Sequence, residues 1–168
     1  MRYPQTSWKA FSEQKIHSPS DAVSLLAPLR AKNKTVGLLN GSFDLLHAGH
    51  LHILYEASKV ADILVVALNT DASIKRYKSK DRPIIGLQDR MEMIAALAFV
   101  DYVTWFDEDD PRQLIRLIRP DVHVNGSEYG KDCIEASTLE ECGGALHLVD
   151  RIPGLATSTV IKAIKNLC

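Results

Sequence analysis

Five short apolar runs set the rhythm of the chain, at residues 36–39, 63–68, 102–106, 122–124 and 145–149. Helical patterns lie between or after them, at 49–60, 88–99, 111–118 and 157–167. The run Ile63-Leu64-Val65-Val66-Ala67-Leu68 shows no polar alternation, so it reads as a central parallel strand covered on both faces. Strand and helix in alternation predict an α/β fold with a doubly wound parallel sheet. Upstream, Pro4, Pro19 and scattered polar residues predict an extended arm over 1–19. A short helix is expected over 21–30, capped by Ser20 and bent or broken at Pro28. The expected organisation is this arm followed by a single domain over 20–168, with no internal repeat and no low-complexity segment.

In such a sheet ligands bind beyond the carboxyl ends of the strands, near the switch point. The polar residues sit at those ends: the turn after the first strand, Asn69-Thr70-Asp71 after the second, and 125–129 after the fourth. The first turn is the sharpest signal. It reads Asn40-Gly41-Ser42-Phe43-Asp44-Leu45-Leu46-His47-Ala48-Gly49-His50 and runs from a strand into a helix start. His47 and His50 are three residues apart and share a helix face. Free N–H groups and positive potential at the helix start favour anions, and Gly41 and Ser42 let the backbone approach a ligand. Two imidazoles so placed can donate to phosphate oxygens and stabilise charge that develops during transfer. The competing explanation is a pair of capping or surface histidines. A zinc site on His47, His50 and His52 is disfavoured, because no cysteine pair stands nearby to complete it. The loop 78–86 is long and charged and is expected to move over a ligand.

Composition narrows the classes. A chain of 168 residues suits one domain with a real core. A net charge of −1 argues against a general nucleic-acid binder. No signal-like stretch opens the sequence and no apolar run spans a bilayer, so a cytoplasmic protein that avoids membranes is expected. Cys133, Cys142 and Cys168 are odd in number and lack CxxC spacing, which predicts reduced thiols. The acidic run 107–110 before Pro111 reads as a helix start, and Trp105 beside it as core.

The segment from Asn40 to His50 resembles the signature of the cytidylyltransferase-like nucleotidyltransferases, HIGH-type enzymes on a Rossmann-like fold. Residues 69–78, Arg82-Pro83 and 88–91 resemble one branch, the heptose 1-phosphate adenylyltransferases, often the C-terminal domain of a bifunctional ADP-heptose synthesis protein. Segments 100–103, 125–129 and 156–158 fall where that branch has comparable ones, so the resemblance covers residues 35–164. Two segments depart from the pattern. Ser127-Glu128-Tyr129 stands where Gly-Asp-Tyr is common, and Ala156-Thr157-Ser158 where Ser-Thr-Thr is common, with one hydroxyl fewer.

The resemblance implies a five-stranded sheet and transfer of AMP from ATP to heptose 1-phosphate, giving ADP-heptose, a lipopolysaccharide precursor, and pyrophosphate. It implies catalytic roles for His47, His50, Lys78 and Arg90, with the Arg90 guanidinium forking onto phosphate oxygens. Gly41, Ser42, Phe43, Asp44, Lys75, Gly126, Glu128, Arg151, Thr157 and Ser158 are implied to bind the nucleotide and its phosphates. Each has a plainer alternative: solvated lysines, an Arg90 ion pair with Asp89 or Glu92, a turn-holding Asp44, a core Phe43 and a capping Thr157. Mg²⁺ is expected to arrive with ATP rather than on protein ligands, the chain to form a homodimer, and a separate heptose kinase to make the acceptor. Two rival functions stand beside this one: a cytidylyltransferase for glycerol 3-phosphate or a related phosphorylated alcohol, and a non-catalytic nucleotide-binding regulatory module.

Overall fold

The computed structural model describes residues 6–167. Five strands, β1 (Val36–Gly41), β2 (Ile63–Asn69), β3 (Tyr102–Phe106), β4 (Val122–Gly126) and β5 (Ala145–Val149), form one sheet in the order β3-β2-β1-β4-β5. Every pairing is parallel, with Leu38 of β1 opposite Val65 of β2 and His123 of β4. The chain winds outward from β1 in one direction, then returns to its other side, so the switch point lies between β1 and β4.

Alternate residues of the strands feed two apolar layers. Leu64, Val66 and Leu68 pack with Leu54 of α3 (Ala48–Ala57) and with Met91 and Ile94 of α5 (Leu87–Ala95). Val36, Leu38, Val65 and Ala67 pack on the other face. There they meet Leu26 of α2 (Pro19–Arg30), Leu114 and Ile115 of α6 (Arg112–Ile118), and Leu139 of α7 (Ala136–Glu141). Helices on both faces explain why β2 carries no polar alternation: neither side of it meets water. The five strands, the two-sided sheet and the α/β class agree with the sequence reading.

Two local expectations are corrected and one helix is added. Residues 1–5 of the expected arm lie outside the described residues, but the rest is not simply extended. It holds α1 (Trp8–Ser12), capped by the Ser7 hydroxyl, and Ile16 forms a parallel bridge with Val103 at the β3 edge. The packing surface of α5 decides this: Trp8 Nε1 donates to Glu92 at 2.5 Å, and Lys15 Nζ donates to the carbonyls of Leu97 and Val100. Second, α2 is capped by Ser18 rather than Ser20, with Pro19 in the first turn where its missing N–H costs nothing. The helix runs through Pro28 to Arg30, because Ala22 and Leu26 anchor its apolar face. The added helix follows β2: α4 (Asp71–Tyr77) starts at the Thr70 cap, whose hydroxyl accepts from the Ser73 amide. Cys133 and Cys142 are free thiols, and Cys168 lies outside the described residues. No described helix is long and apolar enough to cross a membrane.

Candidate active site

The turn leaving β1 is tightly held. Phe43 and Leu45 adopt positive φ of 48° and 52°, a conformation unfavourable for side chains of their size. Two buried groups hold them there. The Asp44 carboxylate accepts from the amides of Ile84 at 2.9 Å and Ile85 at 3.0 Å, and from Arg82 Nε at 2.6 Å. Burial alone would raise the Asp44 pKa, but the two amides and the guanidinium outweigh it and hold the acid below its ordinary value. Arg90, on α5, is fully buried. It donates to the carbonyls of Ile85, Ser42 and Asn69 at 2.9, 2.6 and 2.9 Å, and to Asp71 Oδ1 at 2.7 Å. One side chain therefore ties the β1 turn, the end of β2, the start of α4 and the 78–86 loop together.

The histidines present the opposite condition. His47 is the N-cap of α3, and its Nδ1 accepts the Gly49 amide at 3.1 Å. That bond assigns the neutral ring's proton to Nε2. The ring stacks on His50, with centroids 3.9 Å apart and planes 20° apart. Nε2 of His47 and Nδ1 of His50 are buried without a partner. Burial lowers both pKa values. That of His50 falls to about 4, with His47, Lys78 and Arg151 adding repulsion to the loss of solvent. Both rings are therefore neutral at pH 7, and a bound phosphate anion would push both pKa values back upward. Gly49 lies against this stack. A Cβ there would come within 3.0 Å of the His47 ring and 3.1 Å of Leu155, so any larger residue must push one of them aside by a few tenths of an ångström.

Around the turn opens a cavity of about 630 Å³ at the carboxyl ends of β1 and β4. Gly41, Ser42, Phe43 and Asp44 line its floor beside His47 and His50. Phe43 is 4 % exposed and turns its ring edge toward His50 at 5.5 Å, so it is core first and floor second. On the β2 side, Lys78 Nζ donates to Ser42 Oγ at 2.8 Å, and the Tyr77 hydroxyl lies 2.6 Å from the same oxygen. Burial, then the neighbouring Arg82, lowers the Lys78 pKa. On the β4 side, Gly126 and Glu128 line the wall, with Glu128 3.3 Å from Arg151. Thr157 and Ser158 close that side from the first turn of α8 (Thr157–Lys165), where Thr157 Oγ1 donates to the Asp44 carbonyl at 3.0 Å.

Twelve of the fourteen residues expected at the site thus line one cavity; Lys75 and Arg90 do not. Lys75 is exposed on α4, outside the wall. Arg90 lies beneath the floor with its donors already committed to the protein, so the phosphate contact expected of it does not fit its burial. The ion pair imagined with Asp89 or Glu92 gives way to Asp71. Among the cavity-lining residues that the sequence reading did not assign to the site are Tyr77 and Arg82. A tyrosine next to Lys78, and an arginine before Pro83 in a loop expected to cover the ligand, were the available signals.

Among the described residues no three His, Cys, Asp or Glu side chains are grouped to hold a metal. The acidic run is engaged in ion pairs, Asp109 with Arg76 at 2.7 Å and Asp110 with Arg112 at 2.8 Å.

Comparison with known proteins adds independent findings. A family model described as cytidylyltransferase-like matches residues 38–164. The bifunctional protein HldE of Syntrophotalea carbinolica is 41 % identical over 153 residues, 90 % of this chain and 31 % of that protein. HldE of Campylobacter concisus is 42 % identical over 162 residues, 96 % of this chain and 33 % of that protein. The chain thus spans about a third of the length of these curated relatives. Among solved structures, a lipopolysaccharide core biosynthesis protein from Thermoplasma volcanium superposes with a TM-score of 0.57 at 28 % identity. That match covers 71 % of this chain and 97 % of the other. A pantoate-beta-alanine ligase from Francisella tularensis, solved with a β,γ-ATP compound and β-alanine, gives a TM-score of 0.62 at 15 % identity. It covers 89 % of this chain and 73 % of the other, and shares the fold.

Proposed function

The chain belongs to the cytidylyltransferase-like family, and from that premise we propose that it transfers AMP from ATP to heptose 1-phosphate, releasing pyrophosphate and forming ADP-heptose. The observation that carries this reading is the stacked, neutral histidine pair with one buried unpaired nitrogen on each ring, and with cationic groups of both cavity walls, Lys78 and Arg151, within electrostatic reach of His50. A protein that only held a nucleotide would have no need for uncommitted donors between two cationic walls. The similarity to HldE proteins over nine-tenths of the chain supports the heptose acceptor.

In this mechanism an oxygen of the acceptor phosphate attacks the α-phosphorus of ATP, and the bond to the leaving pyrophosphate breaks in line. The attacking group is already an anion, so no protein nucleophile is needed. The site supplies positioning and charge stabilisation. His47 Nε2–H and His50 donate to oxygens on which charge builds. Lys78 holds phosphate on the β2 side, while Arg151, Thr157 and Ser158 hold the triphosphate at the α8 side. Gly41 and Ser42 bring the backbone close, and Gly126 and Glu128 border the nucleoside. Mg²⁺ carried by ATP would neutralise the phosphates and favour departure of pyrophosphate. The reading places the protein in the cytoplasm as a homodimer, with a heptose kinase activity supplying the sugar 1-phosphate.

A matrix of ATP, CTP, GTP and UTP against heptose 1-phosphate, glucose 1-phosphate and glycerol 3-phosphate, read by pyrophosphate release, tests the assignment. Turnover is expected with ATP and heptose 1-phosphate. Turnover confined to CTP and glycerol 3-phosphate would replace the substrates, and silence in every cell would leave a nucleotide-binding module.

A further inference from the structure

The β2 side of the cavity contains more than one lysine. Arg82 reaches the cavity with its side chain 16 % exposed and touches Asp44 through Nε and Nη2, both 2.6 Å from Oδ2. Among the described residues no acceptor meets its Nη1. Lys78 forms no ion pair with any described carboxylate, and its ammonium is held only by Ser42 Oγ at 2.8 Å and the face of Tyr77 at 5.4 Å. Two cations and two hydroxyls therefore surround one corner that holds a single carboxylate. That carboxylate does not depend on Arg82 alone, because the Ile84 and Ile85 amides keep it hydrogen-bonded if the guanidinium turns away. A planar guanidinium with free N–H groups suits the oxygens of a phosphate monoester, which a point-like ammonium cannot fork.

We propose that Arg82, beside Lys78, is a ligand for the phosphate monoester of the acceptor, and that Asp44 holds it in reserve until that phosphate arrives. This deepens the function proposed above and rests on it for the identity of the acceptor. The triphosphate has its own partners across the turn, in Arg151 and the first turn of α8, so the corner formed by Ser42, Tyr77, Lys78 and Arg82 serves the second anion. Arg82 thereby helps select a phosphorylated acceptor over a neutral sugar.

The test compares Arg82→Gln and Arg82→Lys with the unmodified protein, measuring KM for heptose 1-phosphate and the Kd of a non-hydrolysable ATP analogue. Arg82→Gln is expected to raise the acceptor KM about tenfold or more, with analogue binding within about twofold, and Arg82→Lys to fall between. An unchanged acceptor KM, or equal losses for both substrates, overturns the proposal. Asp44→Asn separates ligation from loop anchoring. If Arg82→Gln still raises the acceptor KM in that background, Arg82 acts on phosphate; if it adds nothing, it acts only through Asp44 and the proposal fails. A readout independent of turnover is the Arg82 Nε–H resonance, identified by its absence in Arg82→Lys, during titration with inorganic phosphate. A shift supports the site even if heptose 1-phosphate is not the substrate, and a resonance that stays fixed at saturating phosphate rules it out.

Discussion

Two clusters of buried polar groups lie within the same turn, and they are treated in opposite ways. Asp44 and Arg90 are densely wired: the acid accepts from two amides and an arginine, and the guanidinium donates to three carbonyls and a carboxylate. His47 and His50 sit above them with a buried nitrogen each left bare. Leaving a buried polar atom unpaired costs on the order of 1–3 kcal/mol, a cost that recurs at functional sites. The satisfied pair fixes a strained turn, and the unsatisfied pair waits for a partner that the protein does not contain. Framework and chemistry are thus separated by hydrogen-bond saturation rather than by distance.

Breaking the wired cluster should have the largest effect. Arg90→Met strands three carbonyls under the floor and removes the ion-pair partner of the part-exposed Asp71. It is expected to cost about 3–5 kcal/mol in urea denaturation, with Arg90→Lys recovering only part because an ammonium lacks the fork. A loss below about 1 kcal/mol would show that the knot is not what holds the turn. Next comes His50→Ala. The fold should survive, while kcat falls about 10²- to 10³-fold and the Kd for ATP changes little, if the donor works mainly in the transition state. Equal losses in binding and turnover would reduce the pair to simple ligands.

Acid should sharpen the contrast. His50 and the fully buried His123 on β4, which has no partner for either ring nitrogen, both titrate at about 4, below the ordinary 6.5. A base whose folded pKa is depressed takes its proton first in the unfolded chain. Stability is therefore expected to fall as pH drops from about 6.5 toward 4, with His123 contributing on the order of 3 kcal/mol. Unfolding free energies measured across that window should lose much of their slope in His123→Leu; an unchanged slope would contradict the assignment. The smallest effect is expected at Thr157→Val, which removes the hydrogen bond from α8 to the Asp44 carbonyl. A loss of about 1 kcal/mol and a modestly raised KM for ATP should follow. None of the residues of α8 is buried, so this contact is an important tether of that wall.

Much of this was legible in the order of residues alone. Apolar runs without alternation specify a sheet covered on both faces, since a strand dry on both sides has no place for polar residues. Strand–helix rhythm specifies parallel pairing, and Asn40 to His50 marks a turn suited to an anion because small residues, a helix start and two histidines one turn apart are local features. What only the packed molecule decided was which cations face the ligand. Lys75 and Lys78 are equivalent on paper, yet Lys78 leaves the end of α4 toward Ser42 while Lys75 stays outside. Arg90 was read as a phosphate ligand, but the groups that engage it come from positions 42, 69, 71 and 85. Those segments meet only after β1, β2 and α5 have packed, and a guanidinium surrounded by carbonyls becomes framework. Local pattern fixes the backbone's path; the fate of a charge depends on partners distant in sequence, and only folding brings those within reach.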